Sequence, residues 1–207
     1  MSNTIITISR EFGSGGRLVG EKLAQVLGIP FYDSAIIEMA AEKSGLSPSF
    51  IEQNEEHIPN SFLFNLSASA LSSYKPSLQY DTPINDKTFF AQSAVVRELA
   101  AQGSCVIVGR CADYVLREEP GLVRIFVCAE AEDRKKRAVE NYGLDSATID
   151  SRLKKIDKAR ANYYKFYTGE NWGGIHEHDL IINTSFIGVD GAVEVIRTLL
   201  KEKGFID

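Results

Sequence analysis

Short apolar runs punctuate this chain at wide intervals: Ile5-Ile6-Thr7-Ile8, Cys105-Val106-Ile107-Val108, residues 123–128 and, more weakly, residues 178–183. They are rich in β-branched residues and lack polar alternation, as expected of strands buried on both faces. A short stretch at 29–32 has room for an edge strand. Between the runs the period lengthens to that of helices. Leu18, Val19, Leu23, Val26 and Leu27 share one side of a helix that Gly28 closes and Pro30 stops. Further helices are predicted over 35–43 (capped by Asp33 or Ser34), from Ser47 to about residue 56, and over 88–102 and 111–117. The last three are expected at 130–141, 145–167 and 189–203. Strands alternating with helices make an α/β fold of three layers, a parallel sheet of about five strands covered on both faces. Ligands then sit beyond the carboxyl ends of the strands.

The pattern blurs over 57–86, where Pro59, Pro76 and Pro83 interrupt it. Phe62, Leu63, Leu66, Ala70 and Leu71 suggest one amphipathic helix there, in an insertion over the site or a subunit contact. Its polar face holds no Lys or Arg, which argues against a membrane surface.

The first strand, a glycine-bearing turn and the first helix follow one another directly. Loop amides at Gly13, Ser14, Gly15, Gly16, Arg17 and Leu18, with the positive helix end, form a cradle for phosphate. The turn departs from the pattern G-x-x-x-x-G-K-S/T. Arg10 stands at the first glycine, Gly16 at the lysine and Arg17 at the hydroxyl residue. Arg17 is the nearest replacement cation, and Ser9 and Ser14 the nearest hydroxyls. The plainer alternative is a tight turn beside a surface arginine.

Length and charge narrow the picture. The 207 residues suit one domain, or one domain with an insertion. A net charge of -5 gives no general pull toward nucleic acid or anionic membrane, so an anion site must be a local gathering of arginines. Cys105, Cys111 and Cys128 have no metal-like spacing and read as buried free thiols in a reducing compartment. No apolar run reaches membrane-spanning length and Met1-Ser2-Asn3 opens no signal-type core, so a cytoplasmic protein is expected. His176 and His178 lack a third ligand nearby, so no metal site is expected.

Arg110 lies just past the second strong strand. Arg160 falls on the apolar stripe of Ile149, Leu153, Ile156 and Tyr163, an inward position that demands an anionic partner. Asp157 is three residues earlier and could supply it, at roughly 0.2–0.5 kcal/mol for a solvated pair. Arg134 and Arg137 are either a solvated face or charge brought over the loop. Phosphoryl transfer needs such positive charge more than it needs a base. Tyr163, Tyr164, Phe166, Tyr167 and Trp172 could stack on a base or merely pack.

Together the stretches ITISREFGSGGRLVGEKLA, FYDSAII, CVIVGRCADYVL, VRIFVCAEAEDRKKRA, IDKAR and DLIINTS resemble the cytidylate kinase-like group of nucleoside monophosphate kinases. The resemblance implies a P-loop NTPase fold, ATP with magnesium held mainly by phosphates and water, and transfer to a nucleoside monophosphate. It implies that Arg110 and Arg160 hold the acceptor phosphate, with Asp33, Asp113 and Asp157 also in the acceptor site. Arg134 and Arg137 would neutralise the transferring group, and Asn183, Thr184 and Ser185 would lie near the ATP base. Residues 45–87 would form the monophosphate-binding insertion and 130–170 a lid, within a single domain over 1–207. The resemblance implies nucleotides as partners, no nucleic acid and no membrane, and leaves a homo-oligomer open. The family's loop lysine is replaced by Gly16, its aspartate after Gly-Arg is displaced to Asp113, and its arginine after Asp-Ser-Gly has no match near Asp33. A nucleotide-binding sensor without turnover is therefore the competing expectation.

Overall fold

A computed structural model describes residues 3–49, 51 and 84–206. Its elements are β1 (Ile5–Arg10), α1 (Gly16–Leu27), β2 (Phe31–Tyr32), α2 (Ala35–Ser44), α3 (Ile84–Gln102), β3 (Cys105–Val108) and α4 (Ala112–Val115). They continue with β4 (Leu122–Cys128), α5 (Ala131–Tyr142), α6 (Ile149–Thr168), β5 (Leu180–Asn183) and α7 (Thr184–Glu202). The amphipathic helix expected around Phe62 to Leu71, and most of the 45–87 insertion, lie outside the described residues.

The five strands are parallel in the order β2-β3-β1-β4-β5. β1 is central: Ile6 is level with Val106 on one side and Val123 on the other. The lack of polar alternation in β1 follows from this position. Ile5 points into a core with α2, α3, α4 and α6, while Ile6 and Ile8 point into the opposite core with α1 and α7. Both layers are dry, with Ile6, Ile8, Ile36, Val106, Ile107 and Ile196 fully buried. At roughly 25 cal/mol per Å² of apolar surface removed from water, these two cores supply the main force that holds the loops in place.

Three local differences from the sequence reading have physical causes. The long helix starts at Ile149 rather than Asp145, because Asp145 is spent on a turn, its carboxylate accepting from the Ala147 amide at 3.0 Å. The last helix starts at Thr184, where Asn183 caps it by accepting from the Ser185 amide at 2.9 Å, and Gly188 (φ 73°, ψ 172°) breaks its first turn from the rest. At α2 the N-cap Ser34 makes no side-chain cap bond, and the Asp33 carboxylate turns toward Arg10 and Arg17. Cys105, Cys111 and Cys128 are free thiols.

Candidate active site

The turn between β1 and α1 is built on backbone that glycine alone adopts readily. Gly13 and Gly15 have φ of 78° and 84°. A Cβ on Gly13 would stand 2.6 Å from the Arg134 carbonyl oxygen, so α5 lies directly on the loop. The first turn of α1 has no side-chain cap, and among the described residues the Gly13 and Gly15 amides donate to no group. Unmet amides at a helix start form an anion cradle. Ser14 is fully buried, its hydroxyl accepting from the Gly16 amide at 3.3 Å.

Side chains from distant elements fix the loop. The Phe12 amide donates to Asp157 Oδ1 at 2.8 Å, and Arg134 Nε donates to the Phe12 carbonyl at 2.8 Å. Arg134 also bridges Asp157 and, at 3.3 Å, Glu11. Arg137 donates to the Gly13 carbonyl, and the Thr184 hydroxyl to that of Ser14. Asn183 Nδ2 reaches Glu130 at 3.2 Å, which joins the start of α7 to that of α5.

A cavity of about 280 Å³ opens beyond the carboxyl ends of β1 and β3, lined by Arg10, Asp33, Arg110, Arg160, Tyr163 and Trp172 among others. Three guanidinium groups and one carboxylate leave positive charge in excess among its described lining residues. The cost of that excess falls on Arg160. Burial first, then the charges of Arg10 and Arg110, pull its pKa down from the ordinary arginine value to about 9, against the opposing pull of Asp157 and Asp33. Its Nη1 donates to the Arg10 carbonyl at 3.1 Å, and its guanidinium lies 5.5 Å from the centre of the Phe12 ring. Burial also lowers the pKa of Arg10, partly offset by Asp33.

Arg110 is placed by strained backbone. Gly109, Arg110 and Cys111 are successive left-handed residues, with φ of 76°, 61° and 50°. Such conformations cost ~1–3 kcal/mol each outside glycine and gather at ligand sites. A Cβ on Gly109 would lie 2.2 Å from Arg10 Nη1, so glycine here also makes room for the Arg10 guanidinium. The Cys111 thiol is pushed well up by burial and by Asp113, which makes it inert.

The structure thus brings Asp33, Arg110 and Arg160 to one cavity and sets the Gly13-to-Leu18 cradle beside it. It engages other expected residues elsewhere. Asp157 holds Phe12 and Arg134. Asp113 is buried, accepting from the Ser9 hydroxyl at 3.2 Å and the Tyr114 amide at 2.9 Å, with His178 Nε2 at 3.4 Å. Burial works against a charged His178, yet its bonds to Asp113 and the Gly174 carbonyl raise its pKa overall. Arg17 is half exposed, with Nε 3.1 Å from Asp33. Tyr163 and Tyr167 pack with Phe89, and the Tyr167 ring stacks on it at 4.2 Å. Sequence reasoning missed Arg10 and Glu11 as site residues. Arg10 had a signal, since it stands where the phosphate-loop pattern has glycine.

The chain resembles known proteins along most of its length. The chain is 25% identical to a cytidylate kinase of Ignicoccus hospitalis, over 95% of this chain and 99% of the relative. Among solved structures, a protein from Eubacterium ventriosum described as uncharacterized superposes with a TM-score of 0.68 at 28% identity, covering 96% and 98% of the two chains. A shikimate kinase from Bacteroides thetaiotaomicron gives a TM-score of 0.53 at 12% identity, covering 97% and 99%, and shares the fold. The family model of the cytidylate kinase-like family matches residues 5–186, and the chain belongs to that family.

Proposed function

We propose that the protein is a phosphotransferase moving a phosphoryl group from ATP to a nucleoside monophosphate, with a cytidylate-like acceptor favoured by family membership. One observation carries the reading: an arginine-lined cavity opens at the ends of β1 and β3, and the loop of unmet amides leaves the same end of β1. Two anions are thereby brought together in a site that offsets their repulsion.

In this reading the amides of Gly13, Gly15, Arg17 and Leu18 hold the donor phosphates. Arg110 and Arg160 hold the acceptor phosphate, and Asp33 reaches its polar body. The acceptor oxygen is already ionised, so no general base is required. Arg134 and Arg137 would exchange the Phe12 and Gly13 carbonyls for oxygens of the transferring group. Asp157 and Asp113 act by position, the first on Arg134 and the loop, the second on Ser9 at the cavity wall. Thr184 braces the loop at the Ser14 carbonyl, and Asn183 caps α7 beside it, near the donor base. Magnesium, which would neutralise the phosphates, fits as an ion held by those phosphates and water. Among the described residues no group of three or more acidic, His or Cys side chains is placed to ligate it, and the Ser14 hydroxyl already faces the Gly16 amide. Free thiols suit a reducing compartment, and no helix among the described residues is long and apolar enough to cross a membrane.

A sensor without turnover would have little use for an arginine-lined acceptor cavity, so the kinase reading is preferred. A coupled assay with magnesium, ATP and a panel of monophosphates tests it. Product is expected, and Arg110→Ala should lower kcat/KM by about a hundredfold, as for a lost charge-assisted contact of about 3 kcal/mol, with ATP binding nearly unchanged. No product from the unmodified protein on any acceptor would overturn the reading.

A further inference from the structure

We propose that Arg10 and Gly16 form one reciprocal exchange: the cation that phosphate loops carry at the start of the helix has moved to the end of β1. Arg10, rather than Arg17, then supplies the positive charge between the two phosphates. The charge half of this inference rests on the phosphoryl-transfer reading; the steric half does not.

The pattern G-x-x-x-x-G-K-S/T has glycine first and lysine seventh. This chain has arginine first and glycine seventh, at Arg10 and Gly16. The two changes touch in space. A Cβ on Gly16 would lie 2.5 Å from Arg10 Cβ, 3.1 Å from Arg10 Cγ and 3.2 Å from Val127 Cβ. Arg10 Cβ is fixed by the paired backbone of β1, and Val127 by β4, so neither can swing away. An arginine at 10 and any side chain at 16 exclude each other. The loop accommodates one long cation, rooted at either place.

From the strand end, the Arg10 stem crosses the start of α1 and its head enters the cavity. The guanidinium reaches the face of Gly109, where a Cβ would block it, and Nη2 stands 3.8 Å from Asp33. The side chain is 19% exposed, whereas that of Arg17 is 52% exposed. A simple structural ion pair with Asp33 explains this poorly. Asp33 already has Arg17 at 3.1 Å, and the Arg10 contact is the longer one. Between the helix start and the cavity shared with Arg110 and Arg160, the Arg10 head occupies the seam where donor and acceptor phosphates would meet.

The test uses Arg10→Met, Arg17→Met, Gly16→Lys and the double variant Arg10→Gly/Gly16→Lys. Magnesium–ATP binding is read by calorimetry and folding by thermal melting. Arg10→Met keeps the stem and should weaken ATP about tenfold or more, while Arg17→Met weakens it less than about threefold. Gly16→Lys alone should melt well below the unmodified protein. The double variant, which restores the usual pattern, should regain most of that loss and bind ATP more tightly than Arg10→Met. Unchanged ATP affinity in Arg10→Met overturns the charge assignment, and a double variant melting as low as Gly16→Lys overturns the exchange. If the unmodified protein binds no ATP, the phosphoryl-transfer reading and the charge half fall together, and the melting pair alone decides the steric half.

Discussion

Replacing Arg160 by methionine should make the ligand-free protein more stable while abolishing its use as a kinase. The lowering of the Arg160 pKa from the ordinary arginine value to about 9 corresponds to roughly 5 kcal/mol against the charged form, mostly from burial and then from Arg10 and Arg110. Arg160 keeps partial exposure, and solvent screening reduces the recoverable part to about 1.5–2 kcal/mol. Against this stands the hydrogen bond from Nη1 to the Arg10 carbonyl, at about 1 kcal/mol. The net gain is about 0.5–1 kcal/mol, which for a chain of this size raises the melting temperature by roughly 1–4 °C. Methionine keeps an apolar stem, and the comparison removes the charge together with the guanidinium that lies 5.5 Å from the centre of the Phe12 ring. The assay is thermal unfolding at low and high salt, with and without millimolar inorganic phosphate. Arg160→Met should melt higher than the unmodified protein at low salt, the gap should shrink as salt screens the arginines, and phosphate should stabilise the unmodified protein more than the variant. A variant that melts lower at low salt, or one stabilised by phosphate as much as the unmodified protein, would refute the idea that these arginines repel one another and bind an anion.

Two further outcomes bear on the same frame. Gly109→Ala places a methyl 2.2 Å from Arg10 Nη1 at φ 76°, and should lower stability by about 1–2 kcal/mol in chemical denaturation while weakening anion binding; unaltered phosphate affinity would detach Gly109 from the Arg10 pose. The His178 imidazole gains the Asp113 carboxylate 3.4 Å from its Nε2 in the folded state, so its contribution is full below its unfolded pKa and is lost as pH rises through the higher folded value. Melting temperature should therefore fall from about pH 6 toward pH 8.5 more steeply in the unmodified protein than in His178→Gln, and parallel pH profiles would contradict the raised pKa.

The strands and most helices were legible because burial on both faces leaves an unambiguous signature. Ile5 to Ile8 serve two cores by alternation, and no polar residue interrupts them except Thr7, whose hydroxyl reaches the Val123 carbonyl at 3.4 Å. Helix starts were less legible. Asp145 and Asn183 both look like caps, but whether a side chain closes a turn or begins a helix depends on which amide it meets, and that is set by neighbours far along the chain. Asp33 illustrates the same limit: local propensity makes it a cap, and two arginines outbid the helix for its carboxylate.

The cavity arginines divide along this line. Arg160 was legible because its neighbours on one helix face, Ile156 and Tyr163, are spaced by the helical period, so an inward direction follows from spacing alone. Arg10 was not, because its direction depends on a void left by Gly16 six residues later and on Gly109 almost a hundred residues away. Proximity in sequence to the missing lysine favours Arg17, yet the first turn of α1 points that side chain outward along Asp33, where water shares its charge. A cation acts on phosphate in proportion to how little water surrounds it, and the drier one is rooted in the central strand. Strand-end anchoring also roots the Arg10 stem in backbone paired with Val127 of β4, so less side-chain freedom is lost when an anion binds than for a half-exposed residue on a helix surface. The loop thus gains rigidity from the exchange.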